Sequence, residues 1–348
     1  MTRDIKGKVI FALALIICSI SVVTFEAESG TVGAATLASP TPPVSVDDDA
    51  PIRIATELVN LNVRVIDRNN RPVNNLQQKD FRVFENNIEQ SIEFFSRSEV
   101  PTNYSLVIDN SGSLRMLLDK VIEASKIIVG TNRPEDETSV IRFVSSDKIE
   151  VKQEFTSDRA LLEDALDGLY IEGGQTAIID AVYLAAESVS EYERADKERK
   201  RRAIILVTDG EDRDSFYKET QLSELLREID VQIYVIGFIS ELSAEGGFIT
   251  RSPQAKAKAF LERLAKETGG RAYFPNGLSE LNGIAKDISL ELRTQYSIGY
   301  QPSASPPGAF RTIRVMVSDG PNREKRIAVT RSGIKASGPT DQPPTLKQ

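Results

Sequence analysis

The chain has 348 residues, a formal net charge of −8, 40% hydrophobic and 27% charged residues, a globular composition with room for one large domain and a smaller one. It contains no His, no Trp and one Cys, which excludes Ser/His/Asp and Cys/His nucleophile systems, His-bound zinc or iron, and imidazole general bases. Cys18 lies in an apolar leader, so thiol catalysis, Fe–S clusters and intramolecular disulfides are excluded too. Any metal is then held by oxygen, which points to Mg2+, Ca2+ or Mn2+, and the acidic balance argues against nucleic acid.

Residues 1–8 carry Arg3, Lys6 and Lys8, and the apolar run Val9–Phe25 follows. A basic flank before an apolar stretch is the layout of an export signal, so residues 1–35 read as a signal peptide or N-terminal anchor. Val32-Gly33-Ala34 offers a small-residue cleavage context, whereas Ile17 before Cys18 argues against a lipoprotein. The protein is expected to be exported, to a periplasm, a cell surface or the medium, touching a membrane only through an uncleaved leader. Thr36–Pro51 is Pro-rich and acidic through Asp47-Asp48-Asp49, which reads as a solvated tether. Residues 336–348 have the same character and read as a disordered tail.

Residues 52–100 alternate in strand fashion: Leu61, Val63 and Val65 on one face, Asn62 and Arg64 on the other. Phe81–Phe84 and Ile88–Phe95 continue the pattern. Residues 294–335 repeat it at Tyr296–Tyr300, Ile313–Val317 and Arg326–Thr330. Each flank alone is marginal for an independent core, so the two are expected to pair into one small β-sandwich-like module around an inserted middle.

The middle, residues 101–293, alternates short apolar strands with amphipathic helices. Strands are expected at Ser105–Ile108, Ser139–Val144, Ile149–Phe155, Ala203–Val207, Gln232–Phe238 and Arg271–Phe274. The first helix carries Leu118, Val121, Ile122, Ile128 and Val129 at helical spacing. Others are expected at Arg159–Leu169, around Ile178–Val189, at Gln221–Glu228, Ala255–Thr268 and Leu278–Arg293. This is the signature of a doubly wound, mostly parallel α/β sheet.

Ligands of such sheets bind beyond the carboxyl ends of the strands. There the sequence places Asp109-Asn110-Ser111-Gly112-Ser113, then Gly173-Gly174-Gln175-Thr176, then Thr208-Asp209-Gly210-Glu211-Asp212. Taken singly, Ser111, Ser113 and Thr176 read as helix N-caps and Asp209-Gly210 as a turn. Together they put two carboxylates and three hydroxyls at one end of one sheet, which capping does not require. A hard divalent cation wants about six oxygens: Asp109 and Asp209 match its charge, and the three hydroxyls leave it electrophilic toward an outside ligand. Gly112 is expected to let the first loop turn tightly, and Gly173-Gly174 to let the second approach. Glu211, Asp212 and Asp214 read as an exposed acidic loop, and Lys197–Arg202 as a solvated helix end.

Asp109-x-Ser111-x-Ser113, Thr176 and Asp209-Gly210, in this order and strand context, resemble the metal-ion-dependent adhesion site of the von Willebrand factor type A family. The resemblance implies a Rossmann-like domain whose metal positions are Asp109, Ser111, Ser113, Thr176 and Asp209. It implies Mg2+, with Mn2+ or Ca2+ as substitutes, and a protein partner that offers an acidic side chain, bound without a reaction. The flanks, with Gln295-Tyr296-Ser297-Ile298-Gly299-Tyr300 after the domain, resemble a bacterial subgroup of the family. Adhesion or envelope assembly is the expected role. Two alternatives stand beside it. A phosphoryl-transfer enzyme of haloacid-dehalogenase type would also keep an Asp after the first strand, but wants a second Asp where Ser111 stands. The other is an envelope scaffold with an inactive metal site.

Overall fold

The computed structural model describes residues 58–336 except 98, 196–199, 243–251, 304, 305 and 307. The leader, the tether and all of the tail but Ala336 lie outside these residues. The chain begins in β1 (Val59–Asp67), where Leu61, Val63 and Val65 are buried, and continues through β2 (Phe81–Glu85), β3 (Ile88–Gln90) and β4 (Ile92–Ser96).

The α/β part follows. Its elements are β5 (Thr102–Asp109), α1 (Leu118–Gly130), β6 (Glu137–Phe143), β7 (Ile149–Thr156), α2 (Arg159–Asp167), α3 (Ile178–Ala195), β8 (Arg201–Thr208), α4 (Glu219–Glu228), β9 (Gln232–Gly237), α5 (Pro253–Thr268), β10 (Arg271–Tyr273) and α6 (Leu281–Arg293). The sheet order is β10-β9-β8-β5-β6-β7, parallel throughout except for the edge strand β7, which runs antiparallel to β6. Every residue of β5 is buried, because helices cover both faces. Leu106, Ile108 and Ile205 pack toward α1, α2 and α6, while Val107, Ile204 and Leu206 pack toward α3, α4 and α5. This is the doubly wound, mostly parallel α/β fold that strands apolar on both faces dictate. The expected Leu278–Arg293 helix begins as a short 3-10 turn, Leu278–Glu280, before α6.

β11 (Tyr296–Tyr300), β12 (Phe310–Val317), β13 (Arg326–Val329) and β14 (Gly333–Lys335) complete the chain. β11 lies between β1 and β4, and β12 between β2 and β14, giving two antiparallel sheets of order β13-β1-β11-β4 and β14-β12-β2-β3. Leu61, Val63, Tyr296 and Ile298 of one sheet share a core with Phe81, Val83, Ile313 and Val315 of the other. The Tyr296 hydroxyl donates to the Val73 carbonyl at 2.8 Å and accepts the Leu76 N–H at 3.0 Å.

Buried charge joins the β-sheets to the α/β part. Arg64 of β1 donates to Glu291 of α6 at 2.8 Å, and Arg271 of β10 donates to the same carboxylate oxygen at 2.6 Å. Arg201 was expected on a solvated helix end but is a buried residue of β8. Its guanidinium donates to the carbonyls of Leu292 at 2.9 Å and Gln295 at 2.8 Å, closing the C-terminal end of α6. Removing one member of a buried ion pair leaves uncompensated charge in a low dielectric. Glu291→Ala is therefore expected to cost about 3–5 kcal/mol of unfolding free energy in urea titrations.

Candidate metal centre

Parallel neighbours β5 and β8 end at the same edge of the sheet. Asp109 is the last residue of β5 and is fully buried. Its Oδ1 accepts the Ser111 N–H at 2.9 Å, and its Oδ2 accepts the Thr208 hydroxyl at 2.8 Å. That hydroxyl in turn accepts the Gly210 N–H at 3.2 Å, so the first and third loops are tied together below the surface. Asp209 follows β8, and its Oδ1 accepts the Glu211 N–H at 3.0 Å. The turn beneath it needs glycine: Gly210 has φ +87°, and a Cβ there would stand 2.8 Å from the Leu261 side chain.

The Ser111 and Ser113 hydroxyl oxygens are 2.9 Å apart. Thr176 joins them from the loop before α3. Its carbonyl accepts the N–H groups of Arg213 at 2.8 Å and Asp214 at 3.2 Å, which stitches this loop to the one carrying Asp209. The approach is close at Gly174, where a Cβ would lie 2.5 Å from Val144 Cγ1. Gly112 differs from expectation, because a Cβ there meets nothing within 4 Å and its φ is not positive. The turn at 112–114 is an ordinary 3-10 turn that makes no demand for glycine.

Ser111, Ser113, Thr176 and Asp209 line one cavity of about 420 Å³. Asp109 is fully buried and bonded to Ser111 of that lining. Burial pushes the Asp109 carboxyl up to about 6, with the nearby charge of Asp209 adding to the effect and the Ser111 and Thr208 donors opposing it. Of the outer acids, Glu211 reaches the cavity and pairs with Arg213. Asp212 instead accepts the Ile179 N–H at 3.1 Å and the Ser215 hydroxyl at 2.6 Å, and so holds the start of α3.

Two contributors carried no signal of their own in the sequence. Thr208 reads as the last β-branched residue of a strand, and Asp180 as a helical residue. The Asp180 carboxylate accepts the N–H groups of Phe216 and Tyr217, both at 2.8 Å, fixing the course of the chain beyond Asp209.

The donor chemistry fits a hard divalent cation. Two carboxylates would balance the charge, the hydroxyls of Ser111, Ser113 and Thr176 would add neutral oxygens, and the cavity leaves room for an outside ligand. Such an ion would supply a Lewis-acidic position facing the cavity. It would also compensate Asp109, a carboxylate out of water beside a second one. Among the described residues no group of three or more His, Cys, Asp or Glu side chains forms an alternative metal cluster.

The family model for the von Willebrand factor type A domain matches residues 105–287, more than half of the chain. The chain belongs to the von Willebrand factor type A domain family. No curated protein matches it. Among solved structures it is similar to an aerotolerance-related membrane protein from Bacteroides fragilis, with 22% identity, 55% of this chain and 98% of that chain covered, and a TM-score of 0.43. It is similar also to a von Willebrand factor type A protein from Catenulispora acidiphila, with 14% identity, 76% of each chain covered and a TM-score of 0.44. A third is proximal thread matrix protein 1 from the mussel byssus, described with a zinc-occupied MIDAS motif, with 20% identity, 61% and 50% coverage and a TM-score of 0.44.

For this type A domain the buried carboxylate makes a stability prediction. With the Asp109 carboxyl near 6 in the fold and near its ordinary value of about 4 unfolded, the folded state binds the extra proton. Its ionisation therefore destabilises the metal-free fold as pH rises through 6, and has no effect below about 4. Asp109→Asn removes that charge, and the Thr208 hydroxyl can accept the new N–H. In EDTA at pH 7.5 the variant is expected to be more stable than the parent by about 3 kcal/mol, the difference vanishing near pH 4 in denaturant titrations.

Proposed function

We propose that the chain is an exported type A domain protein that holds Mg2+, replaceable by Mn2+ or Ca2+, at Asp109, Ser111, Ser113, Thr176 and Asp209. The open position of the ion takes a carboxylate from a partner protein, and no covalent chemistry follows. The role is adhesion or envelope assembly, and export rests on the basic and apolar leader of residues 1–25. The single observation supporting the metal reading is that four of these residues line one cavity and the fifth, Asp109, is hydrogen-bonded to one of them, Ser111. Type A domains are in general adhesion or interaction modules, which agrees with a site built for holding.

Calorimetric titration tests the reading. Mg2+ is expected to bind the parent with one-site stoichiometry and to raise its Tm, because a ligand of the native state stabilises it. Asp209→Ala is expected to weaken Mg2+ binding by at least about 100-fold, as loss of one of two charge-bearing ligands demands, while the metal-free Tm stays within a few degrees of the parent. Failure of both Asp109→Ala and Asp209→Ala to fold would count against a surface binding role. Hydrolysis of a generic phosphate ester with Mg2+, abolished by Asp109→Asn, would favour the phosphoryl-transfer alternative. No measurable Mg2+ binding would favour the inactive scaffold.

A further inference from the structure

At the other end of the central sheet lies a second cavity, of about 210 Å³, between the antiparallel sheets and the α/β part. Lys200, Arg201 and Arg202 line it where β8 begins. The stretch from Arg201 to Asp209 spans about 25 Å along a strand, so this cavity is remote from the metal centre.

The floor of the cavity follows from strand register. Asn60, Gly299 and Phe94 stand opposite one another on β1, β11 and β4, and Asn62, Ser297 and Ser96 form the next row on the same face. The middle strand, β11, carries only small residues there, while Asn60, Asn62 and Phe94 rise on either side. The gap depends on Gly299, where a Cβ would stand 3.0 Å from Phe94 Cβ and 3.3 Å from Asn60 Oδ1. Asp230, from the turn between α4 and β9, and the start of β8 close this trough against the α/β part.

Polar groups in the trough are incompletely used. Asn60 donates to the Leu58 carbonyl at 3.0 Å and Asn62 to Asp230 at 3.4 Å. Both amide oxygens and the Ser297 hydroxyl are left without a partner among the described residues. Arg201 is buried, and its Nε has no acceptor among them. Beside these groups Phe94, on the edge strand β4, keeps 45% of its surface in water.

This lining selects a ligand by its chemistry. The amide oxygens and the Asp230 carboxylate only accept hydrogen bonds, whereas Lys200, Arg201 and Arg202 only donate them. A phosphate would press its own acceptors against the first set, and an ammonium ion its donors against the second, and polar groups left unmatched are costly. A sugar hydroxyl donates and accepts, and so answers both sets. The C–H face of a sugar ring is apolar and covers an exposed aromatic ring, removing it from water. The volume lies below the roughly 300–1,000 Å³ of drug-sized sites and suits one ring.

We propose that the trough over β11 binds a single pyranose unit, its C–H face on Phe94 and its hydroxyls shared among Asn60, Asn62, Ser297 and Asp230. The site needs no cation and stands apart from the metal reading.

Saturation-transfer NMR on the full chain in EDTA tests this with glucose, galactose, mannose and N-acetylglucosamine. At least one is expected to receive saturation at its ring C–H protons and to bind with a Kd of about 10 mM or tighter. Phe94→Ala is expected to weaken that sugar by about fivefold or more. Gly299→Ala, which puts a methyl group into the trough, is expected to weaken it likewise. Both variants are expected to keep the Mg2+ affinity of the parent, measured by calorimetry. Absence of saturation transfer to all four sugars overturns the proposal, as does sugar binding that both variants leave unchanged. Inorganic phosphate or acetyl-diglycine amide binding in a Phe94-dependent way, where no sugar binds, would make the trough an anion or peptide site and overturn it too.

Discussion

Asp109 ends a strand with no exposed residue, so its carboxylate leaves water on folding, and an ionised group so placed costs several kcal/mol unless donors or a counter-charge compensate. Two donors are supplied, the Ser111 N–H from the loop after β5 and the Thr208 hydroxyl from the last residue of β8. The second carboxylate, Asp209, adds repulsion instead. Much of the loop geometry follows from this. The 109–114 segment folds over the carboxylate, β8 must end beside β5 for Thr208 to reach it, and Gly210 must turn away at positive φ to leave Asp209 at the cavity. The charge also explains why the metal-free fold is strained toward protonation and why a divalent cation suits the place.

The opposite end of the α/β part is organised by the reverse problem, an excess of buried cations. Arg64 and Arg271 share one carboxylate oxygen of Glu291, and Arg201 spends its donors on carbonyls at the end of α6. Burial lowers the Arg201 guanidinium to about 10, still charged at neutral pH. These contacts fix where α6 stops, and β11 begins only a few residues later.

The doubly wound core was legible because β5, β8 and β9 are apolar on both faces while the helices keep an apolar stripe, two periodicities that do not overlap. The candidate oxygen-bearing positions stood out because they cluster where strands end and helices are about to begin: Asp109 closes β5, Asp209 follows β8, and Thr176 stands just before α3. What escaped reading is what depends on distant pairing. Thr208 matters only because Asp109 lies beside it across the sheet. Asp180 matters only because the 216–217 backbone crosses the start of α3. Arg201 looks like part of a basic run until the end of α6 is laid over it. β14 spans Gly333–Lys335 and contains a glycine, with too little alternation to stand out. The apolar part of the cavity lining was equally hidden, since Met116 and Leu242 come from segments far apart in sequence.

β4 and β11 are hydrogen-bonded neighbours, with Ser96 opposite Ser297, and everything from residue 101 to 295 is spliced in between them. Paired residues of adjacent strands lie about 5 Å apart, so the two ends of the α/β part are clasped side by side. Tension drawn along the polypeptide from either flank is therefore borne by the rungs joining β1, β11 and β4, and reaches the inserted sheet only after those rungs part. An insert mounted in this way keeps its shape while the flanking strands are pulled.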